Sequence, residues 1–409
     1  MGFAPVELRS FGIARMKNNM QAAPASPKLV SMAEPVYLDG FSTTPLAPEA
    51  RAAMLEAFEA TGNPSSQHGA GQRAARVIED ARSDLAGLIG ASPSEILFTS
   101  GATEADNLAI LGVVRAAMAA GSPRRTLVVS AIEHKAVLEP AAALAAEGIR
   151  LVIAPVDRFG RLDLDDLRRL MSEDVILVSV MAANNETGVV QPIEEAAHIA
   201  HGQGALFHSD AAQAAGKIRV DVERIGADYL SISAHKMYGP MGVGALYVAA
   251  GAPRPLPLGY GGGQERGIRP GTEPVPLIAG FGSAAKLAAE RMEADGQRSE
   301  GMIEQLLDGL ASRQMRFSRI TDENFVIPGS AAIAISGVDA EDLCLRLGRE
   351  VMISTGSACT SGQLRRSHVL EAMGLSEGQA AEVVRLFCGR YTTAGDADRA
   401  AEKIASAAR

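Results

Sequence analysis

A chain of 409 residues is long for a single simple core and suits two domains. Its 47% apolar and 21% charged residues exclude an intrinsically disordered protein, and a net charge of −9, from 39 basic against 48 acidic side chains, gives no reason to expect nucleic acid or an anionic membrane as a partner. No apolar run approaches the roughly 20 residues that a membrane span requires. Residues 1–35 have an Ala/Pro/Ser-rich centre and no regular apolar period, so a flexible N-terminal arm is expected. Its apolar stretches are too short and interrupted for a signal peptide. Met16, Met20 and Met32 are alternative starts, and an organelle transit peptide is the competing reading.

From Pro48 onward, short apolar runs alternate with helical patterns. "EILFTS" leads into "GATEADNLAILGVVRAAMAAG", and "TLVVS" into "AIEHKAVLEPAAALAAEG". "RLVIAPV" then precedes "LDLDDLRRLM", "VILVSVMA" precedes "PIEEAAHIAHGQG", and "ALFHSDAA" follows. This rhythm predicts an α/β fold with a mainly parallel sheet covered by helices on both faces. Ligands gather at the carboxyl ends of strands in such sheets. The polar clusters "TSGATE", "SAIEHK", "ANNETG", "HSDAAQ" and "SAHKMYGP" all fall there. One shared active site is the expectation. After about residue 290 the rhythm changes to a long Glu/Met/Leu-rich helical stretch, "SAAIAISG", a helix and "EVVRLFCGRYTT". A smaller α+β domain is expected there, with a linker within 285–295.

Lys236 follows an apolar strand directly, in a turn that contains Gly and Pro. A lysine partly withdrawn from water loses its proton more readily and can condense with a carbonyl. Pyridoxal 5′-phosphate offers that carbonyl, and it also requires an acid for its ring nitrogen and donors for its phosphate. Asp210 ends a strand and can supply the acid, although by itself it reads equally well as a helix N-cap. "SGATEADN" opens a helix, so the Thr103 hydroxyl and nearby backbone N–H groups, that of Ala102 among them, can hold phosphate. An ordinary capping box is the competing reading. Ser233 and His235, beside Lys236, are further phosphate donors.

Three cysteines with no CxxC spacing indicate neither zinc nor a disulfide framework, and fit a reducing, cytosolic setting. Cys344, on an amphipathic helix, and Cys388, in a strand pattern, read as small core hydrophobes. Cys359 differs. It lies in "ISTGSACTSGQ", among small polar residues that suit a mobile, wet segment.

These residues carry a resemblance. From about Val36 to about Thr393 the chain resembles the cysteine desulfurases, aminotransferase class V enzymes of the type I pyridoxal-phosphate fold. The matching motifs, in order, are "YLDGFSTTPLAP", "GNPSSQHGAG", "FTSGATEADNLAI", "EHKAVLEP", "NNETGVVQPI", "HSDAAQAAGK", "SAHKMYGP", "GGGQERGIRPGT" and "GSACTSG". The resemblance implies a large cofactor-binding domain over residues 47–290, built on a seven-stranded sheet. Residues 36–46 and 291–409 would form the small domain, which carries Cys359.

The resemblance also implies roles. Lys236 would bind the cofactor's aldehyde, His134 would stack on its ring and move protons, and Asp210 and Gln213 would pair with the ring nitrogen and ring hydroxyl. Ala102, Thr103, Ser233 and His235 would hold the phosphate, with Thr272 reaching in from a second subunit of a homodimer. Asn185 and Arg385 would bind the substrate carboxylate. Cys359 would take sulfur from L-cysteine as a persulfide, leave L-alanine, and pass the sulfur to a scaffold or carrier protein for iron–sulfur clusters or for thiolation of cofactors or tRNA. No membrane, directly bound nucleic acid or metal is expected, and the location implied is cytoplasmic. Selenocysteine lyase or another class V aminotransferase-like reaction is the alternative. Departures from the family pattern are "LDGFSTT" at the substrate mouth, Met241 where lysine is common, and Arg365 and Arg366 after the cysteine.

Overall fold

The computed structural model describes residues 34–355 and 367–409. The arm expected over 1–35, all but its last two residues, and the catalytic cysteine expected at Cys359 lie outside the described residues. A two-residue strand, β1 (Val36–Tyr37), comes first. Seven further strands then follow: β2 (Ile96–Thr99), β3 (Thr126–Ser130), β4 (Arg150–Ala154), β5 (Val175–Ser179), β6 (Leu206–Asp210), β7 (Tyr229–Ser233) and β8 (Gly244–Val248). They form one sheet in the order β2-β8-β7-β6-β5-β3-β4. Pairing is parallel from β4 through to β7, and only β8 runs antiparallel to both of its neighbours. Every residue of β2, β3, β5 and β7 is buried, as expected for strands with helices on both faces. The mainly parallel sheet predicted from the alternation is therefore present, with the seven strands that the resemblance implies.

Separate apolar clusters cover the two faces of this sheet. One includes Ile78, Leu85 and Ile89 of the helix Gly69–Ile89, and the other Leu108, Val113 and Leu144 of the helices behind β2 and β3. A third cluster surrounds a smaller antiparallel sheet, in which β10 (Ser330–Ile335) lies between β9 (Phe317–Arg319) and β12 (Val383–Phe387). The short strand β11 (Val351–Met352) pairs in parallel with β1 and so ties the start of the described chain to the small sheet's core.

Residues 35–409 form one compact unit. The linker expected within 285–295 is not a loop. Those residues lie inside an uninterrupted 38-residue helix, Val275–Ser312, about 57 Å long at 1.5 Å per residue. Its N-terminal half packs on the large sheet's helices and its C-terminal half contributes Ile303, Leu306 and Leu310 to the small sheet's core. Gly282 permits this seating, because a Cβ there would stand 2.5 Å from Ala81 Cα. Asp295 also accepts from the buried Arg390 Nε at 2.5 Å, a bond that fastens the helix to the segment after β12.

Candidate active site

Side chains at the carboxyl ends of β2, β3, β5, β6 and β7 converge on one cavity of about 430 Å³, within the range of small-molecule sites. Its lining includes Ala102, Thr103, His134, Asn185, Asp210, Gln213, Ser233, His235, Lys236 and Arg385. Ten of the twelve residues singled out from the sequence thus meet in one place. Thr272 lies on an exposed loop and is absent from this lining. Cys359 is outside the described residues.

Register places the groups along the sheet. Asp210 ends β6 level with Ser231 on β7, and Ser233 ends β7 opposite Gly244 at the start of β8. Gly244 has no room for a side chain, since a Cβ would come within 2.6 Å of Gly101 Cα. That close approach seats the turn before the helix Ala102–Asn107 against the start of β8, opposite Ser233. The helix N-terminus carries no side-chain cap, so its first N–H groups are available to an anion. The capping box weighed from the sequence does not form around Thr103. Glu104 instead accepts from Ser100 N–H at 2.6 Å and from Arg269 at 3.1 Å.

Lys236 Nζ donates to the backbone carbonyls of Phe41 at 2.5 Å and Ser42 at 2.8 Å. Gln213 Nε2 donates to the same Phe41 oxygen at 2.8 Å. Asp210 is buried, and its Oδ1 accepts from Ala212 N–H at 2.9 Å; no helix follows β6 until Val222, so this bond closes a turn and the helix-capping alternative does not hold. Burial pushes its carboxyl above the usual range, while His134 and Lys236 pull it back. Burial lowers the His134 imidazole, and Lys236 reinforces the shift against the opposing charge of Asp210. His134 also caps the helix Lys135–Ala145, with Nδ1 accepting from Ala136 N–H at 3.1 Å. The ring is therefore neutral near pH 7 and carries its proton on Nε2. His235, lowered to about 4 by burial and by the charges of Lys236 and Lys217, is neutral as well.

Arg385, on β12, reaches the cavity from the small sheet and is 2% exposed. Its Nη1 donates to the Asn185 carbonyl at 2.6 Å. Its Nη2 donates to Asp39 Oδ1 at 2.6 Å, Ser354 Oγ at 2.6 Å and Ser42 Oγ at 2.8 Å, and its Nε is buried without a partner among the described residues. Asn184 fixes the turn that presents Asn185, accepting at Oδ1 from the Glu186 and Thr187 N–H groups and donating to Ile132 O at 2.9 Å. Residues flanking 356–366 are anchored too. Ser354 Oγ donates to Asp39 at 2.7 Å, and Ser367 Oγ donates to Glu186 at 2.5 Å.

Several contributors were not singled out from the sequence. The Phe41 and Ser42 carbonyls hold Lys236 from 195 and 194 residues away; the motif "YLDGFSTTPLAP" includes both residues, but nothing in it assigns their carbonyls to the lysine. Asp106 also lines the cavity, fully buried, with both carboxyl oxygens lacking a hydrogen-bond partner among the described residues. Its position three residues after Thr103 puts it on the same helix face, which is the signal that would have found it. Behind it, His208 lies between Ser179 Oγ at 2.8 Å and Ser231 Oγ at 3.0 Å, with Nε2 3.6 Å from Asp106 Oδ1.

A primary amine, a buried carboxylate and an uncapped helix N-terminus in one cavity fit an aldehyde, a ring nitrogen and a phosphate. Arg385, which lines the same cavity, brings a guanidinium suited to a carboxylate. Among the described residues no cluster of His, Cys, Asp and Glu suits a metal ion, and no helix is long and apolar enough to cross a membrane.

The family profile described as "Aminotransferase class-V" matches residues 36–399. A protein from Rickettsia africae named "Cysteine desulfurase IscS" is 41% identical over 384 residues, 93% of each chain. A solved structure titled "NIFS-LIKE PROTEIN" superposes with a TM-score of 0.84 at 36% identity, covering 91% of this chain and 98% of the other. Another, "SspA in complex with cysteine", gives 0.75 at 35% identity over 87% of this chain and 99% of the other.

Proposed function

Because this chain belongs to the aminotransferase class V family, we propose that it is a pyridoxal-phosphate-dependent L-cysteine desulfurase. The observation that carries the reading is the convergence of Lys236, His134, Asp210 and Arg385, from distant parts of the chain, on one cavity. Relatives at 41% identity over nearly the full length are named for this activity, and a structural neighbour is titled as a complex with cysteine.

Lys236, Asp210, Gln213, Ala102, Thr103, Ser233 and His235 would hold the cofactor in the cavity, with Thr272 supplied by the second subunit of a homodimer. Bound there, pyridoxal phosphate supplies an electron-accepting ring that stabilises the charge left when a proton leaves the substrate Cα. Lys236 Nζ takes and returns that proton, steadied by the two carbonyls it already meets. His134, neutral and protonated on Nε2, holds a second proton beside it. Arg385 and Asn185 grip the substrate carboxylate, which competes with Asp39 for the guanidinium.

The sulfur step uses Cys359, on the strength of its sequence. Its thiolate attacks the substrate sulfur, the S–Cβ bond breaks and an S–S bond forms. L-cysteine and one Cys359 thiol thereby become L-alanine and one Cys359 persulfide, with no external oxidant or reductant. An acceptor protein, scaffold or sulfur carrier, then removes the outer sulfur for iron–sulfur cluster assembly or for thiolation of cofactors or tRNA. The setting that suits this exchange is the cytoplasm. Product identity tests the reading. Purified protein given pyridoxal phosphate and L-cysteine should release L-alanine. A keto acid with no alanine would make it an aminotransferase instead.

A further inference from the structure

Beside the cavity lies a lysine that the proposed chemistry does not use. Lys217 is 8% exposed, and among the described residues the charge that bears on it is the like charge of Lys236. Its Nζ donates to the Gln213 backbone carbonyl at 3.1 Å and to Gln213 Oε1 at 3.4 Å. Phe41 and Phe387 stack with centroids 4.9 Å apart, and the amine is 5.8 Å from each ring centre. A buried amine needs compensation, and here two oxygens of one residue and two aromatic faces provide it.

The contact with Oε1 sets the direction of the Gln213 amide. The Lys217 amine donates to Oε1, so it takes the oxygen end of the amide and turns the nitrogen end away. Nε2 then donates to the Phe41 carbonyl at 2.8 Å, the oxygen that also accepts from Lys236 Nζ at 2.5 Å. One short chain of contacts thus runs from Lys217 through Gln213 and Phe41 to Lys236.

We propose that Lys217 is a positioning residue. It fixes Gln213 with its amide nitrogen, the donor end, on the cavity side and so keeps Gln213 and Lys236 on their shared Phe41 carbonyl. This rests on the reading of the cavity as a pyridoxal phosphate site, where the ring hydroxyl would meet Gln213. Without Lys217 the amide is free to turn, and the acceptor end faces the cofactor for part of the time.

A double-mutant cycle on K217M and Q213L tests this, read as the dissociation constant of pyridoxal 5′-phosphate for the apo-protein from the absorbance band of the lysine-bound cofactor. K217M and Q213L are each expected to weaken binding about tenfold, the loss of one well-placed hydrogen bond, and the double variant to bind no worse than Q213L. The apo K217M protein should melt at or above the wild-type temperature, since a lone buried amine has been replaced by an apolar chain. K217Q, which keeps an N–H donor, should bind within about threefold of wild type, and K217A, which cannot reach Gln213, about tenfold weaker, so the test survives if K217M does not fold. Additive losses in the cycle, or unchanged binding without Lys217, would overturn the role given to Lys217 alone. A wild-type protein that binds no pyridoxal phosphate would overturn the reading of the cavity and this proposal with it.

Discussion

Arg385 Nη2 donates to Asp39 Oδ1 at 2.6 Å, joining two residues 346 positions apart in the chain at the cavity proposed to take the substrate. The same guanidinium also holds the Asn185 carbonyl and the hydroxyls of Ser42 and Ser354. Lysine, a single point of charge, cannot reproduce that planar set of bonds. R385K should raise KM for L-cysteine about tenfold while kcat changes by less than about threefold, because ground-state grip on the carboxylate is lost. Steady-state alanine formation measures both. An unchanged KM would remove Arg385 from substrate binding.

Arg82 and Glu265 form a buried two-bond pair at 2.9 and 2.8 Å, with side-chain exposures of 7% and 3%. Glu265 also accepts from Phe98 N–H at 2.9 Å, fastening the loop after β8 to strand β2. Without Glu265 the buried guanidinium keeps only the Ile96 carbonyl and the largely exposed Glu79 carboxylate, so E265A should cost about 3 kcal/mol and E265Q roughly half of that. Denaturant midpoints at constant m-value check the size and confirm that the loss is in stability.

Burial lowers the His208 pKa to about 3, against an ordinary value near 6.5. Below about pH 6.5 the unfolded chain takes up a proton that the folded one refuses, so this group's contribution to stability is present at neutral pH and declines as pH falls towards 3. The slope approaches about 1.4 kcal/mol per pH unit. The folded-state imidazole resonances of His208 should stay constant from pH 7.5 to about 4.5, at the neutral position. A titration midpoint near 6.5 in the folded protein would show that His208 is not sealed between Ser179 and Ser231.

Burial also raises the thiols of Cys344 to about 11 and Cys388 to about 12, so both remain protonated near neutral pH. A thiolate-directed reagent should therefore label one cysteine rapidly, Cys359, and the other two about a hundredfold more slowly or not at all. C359S should abolish the fast phase. Fast labelling that persisted in C359S would place the reactive thiol elsewhere.

The strands of the large sheet were legible because most are short apolar runs ended by polar or glycine-containing turns, as burial between two helical layers requires, although β4 at the edge is partly exposed and β2 and β8 pair antiparallel. The cluster at their carboxyl ends was legible for the same reason. What local pattern could not carry were contacts closed by tertiary folding, such as Asp39 with Arg385 or Phe41 with Lys236 and Gln213. Cys344 lies on a helix as its pattern predicts but is only half-buried and joins no core cluster, because it sits at the margin of the helix's buried face, whereas Cys388 joins the small sheet's core just beyond β12. The linker expected within 285–295 from the change of rhythm falls inside the helix Val275–Ser312, which also carries Gly280 and Gly282. In the fold they serve as contact points, where Met54 and Ala81 approach too closely for a side chain. The small strands β1 and β11 have two residues each, too few to display a period.

The central claim, sulfur transfer from L-cysteine to Cys359, is tested most directly by mass spectrometry of the peptide that contains it. After incubation with pyridoxal phosphate and L-cysteine without reductant, Cys359 should carry one added sulfur atom, formed together with L-alanine, and C359S under reductant should lose sulfide release. Full sulfide release by C359S, with no sulfur added at Cys359 in the wild type, would contradict the account.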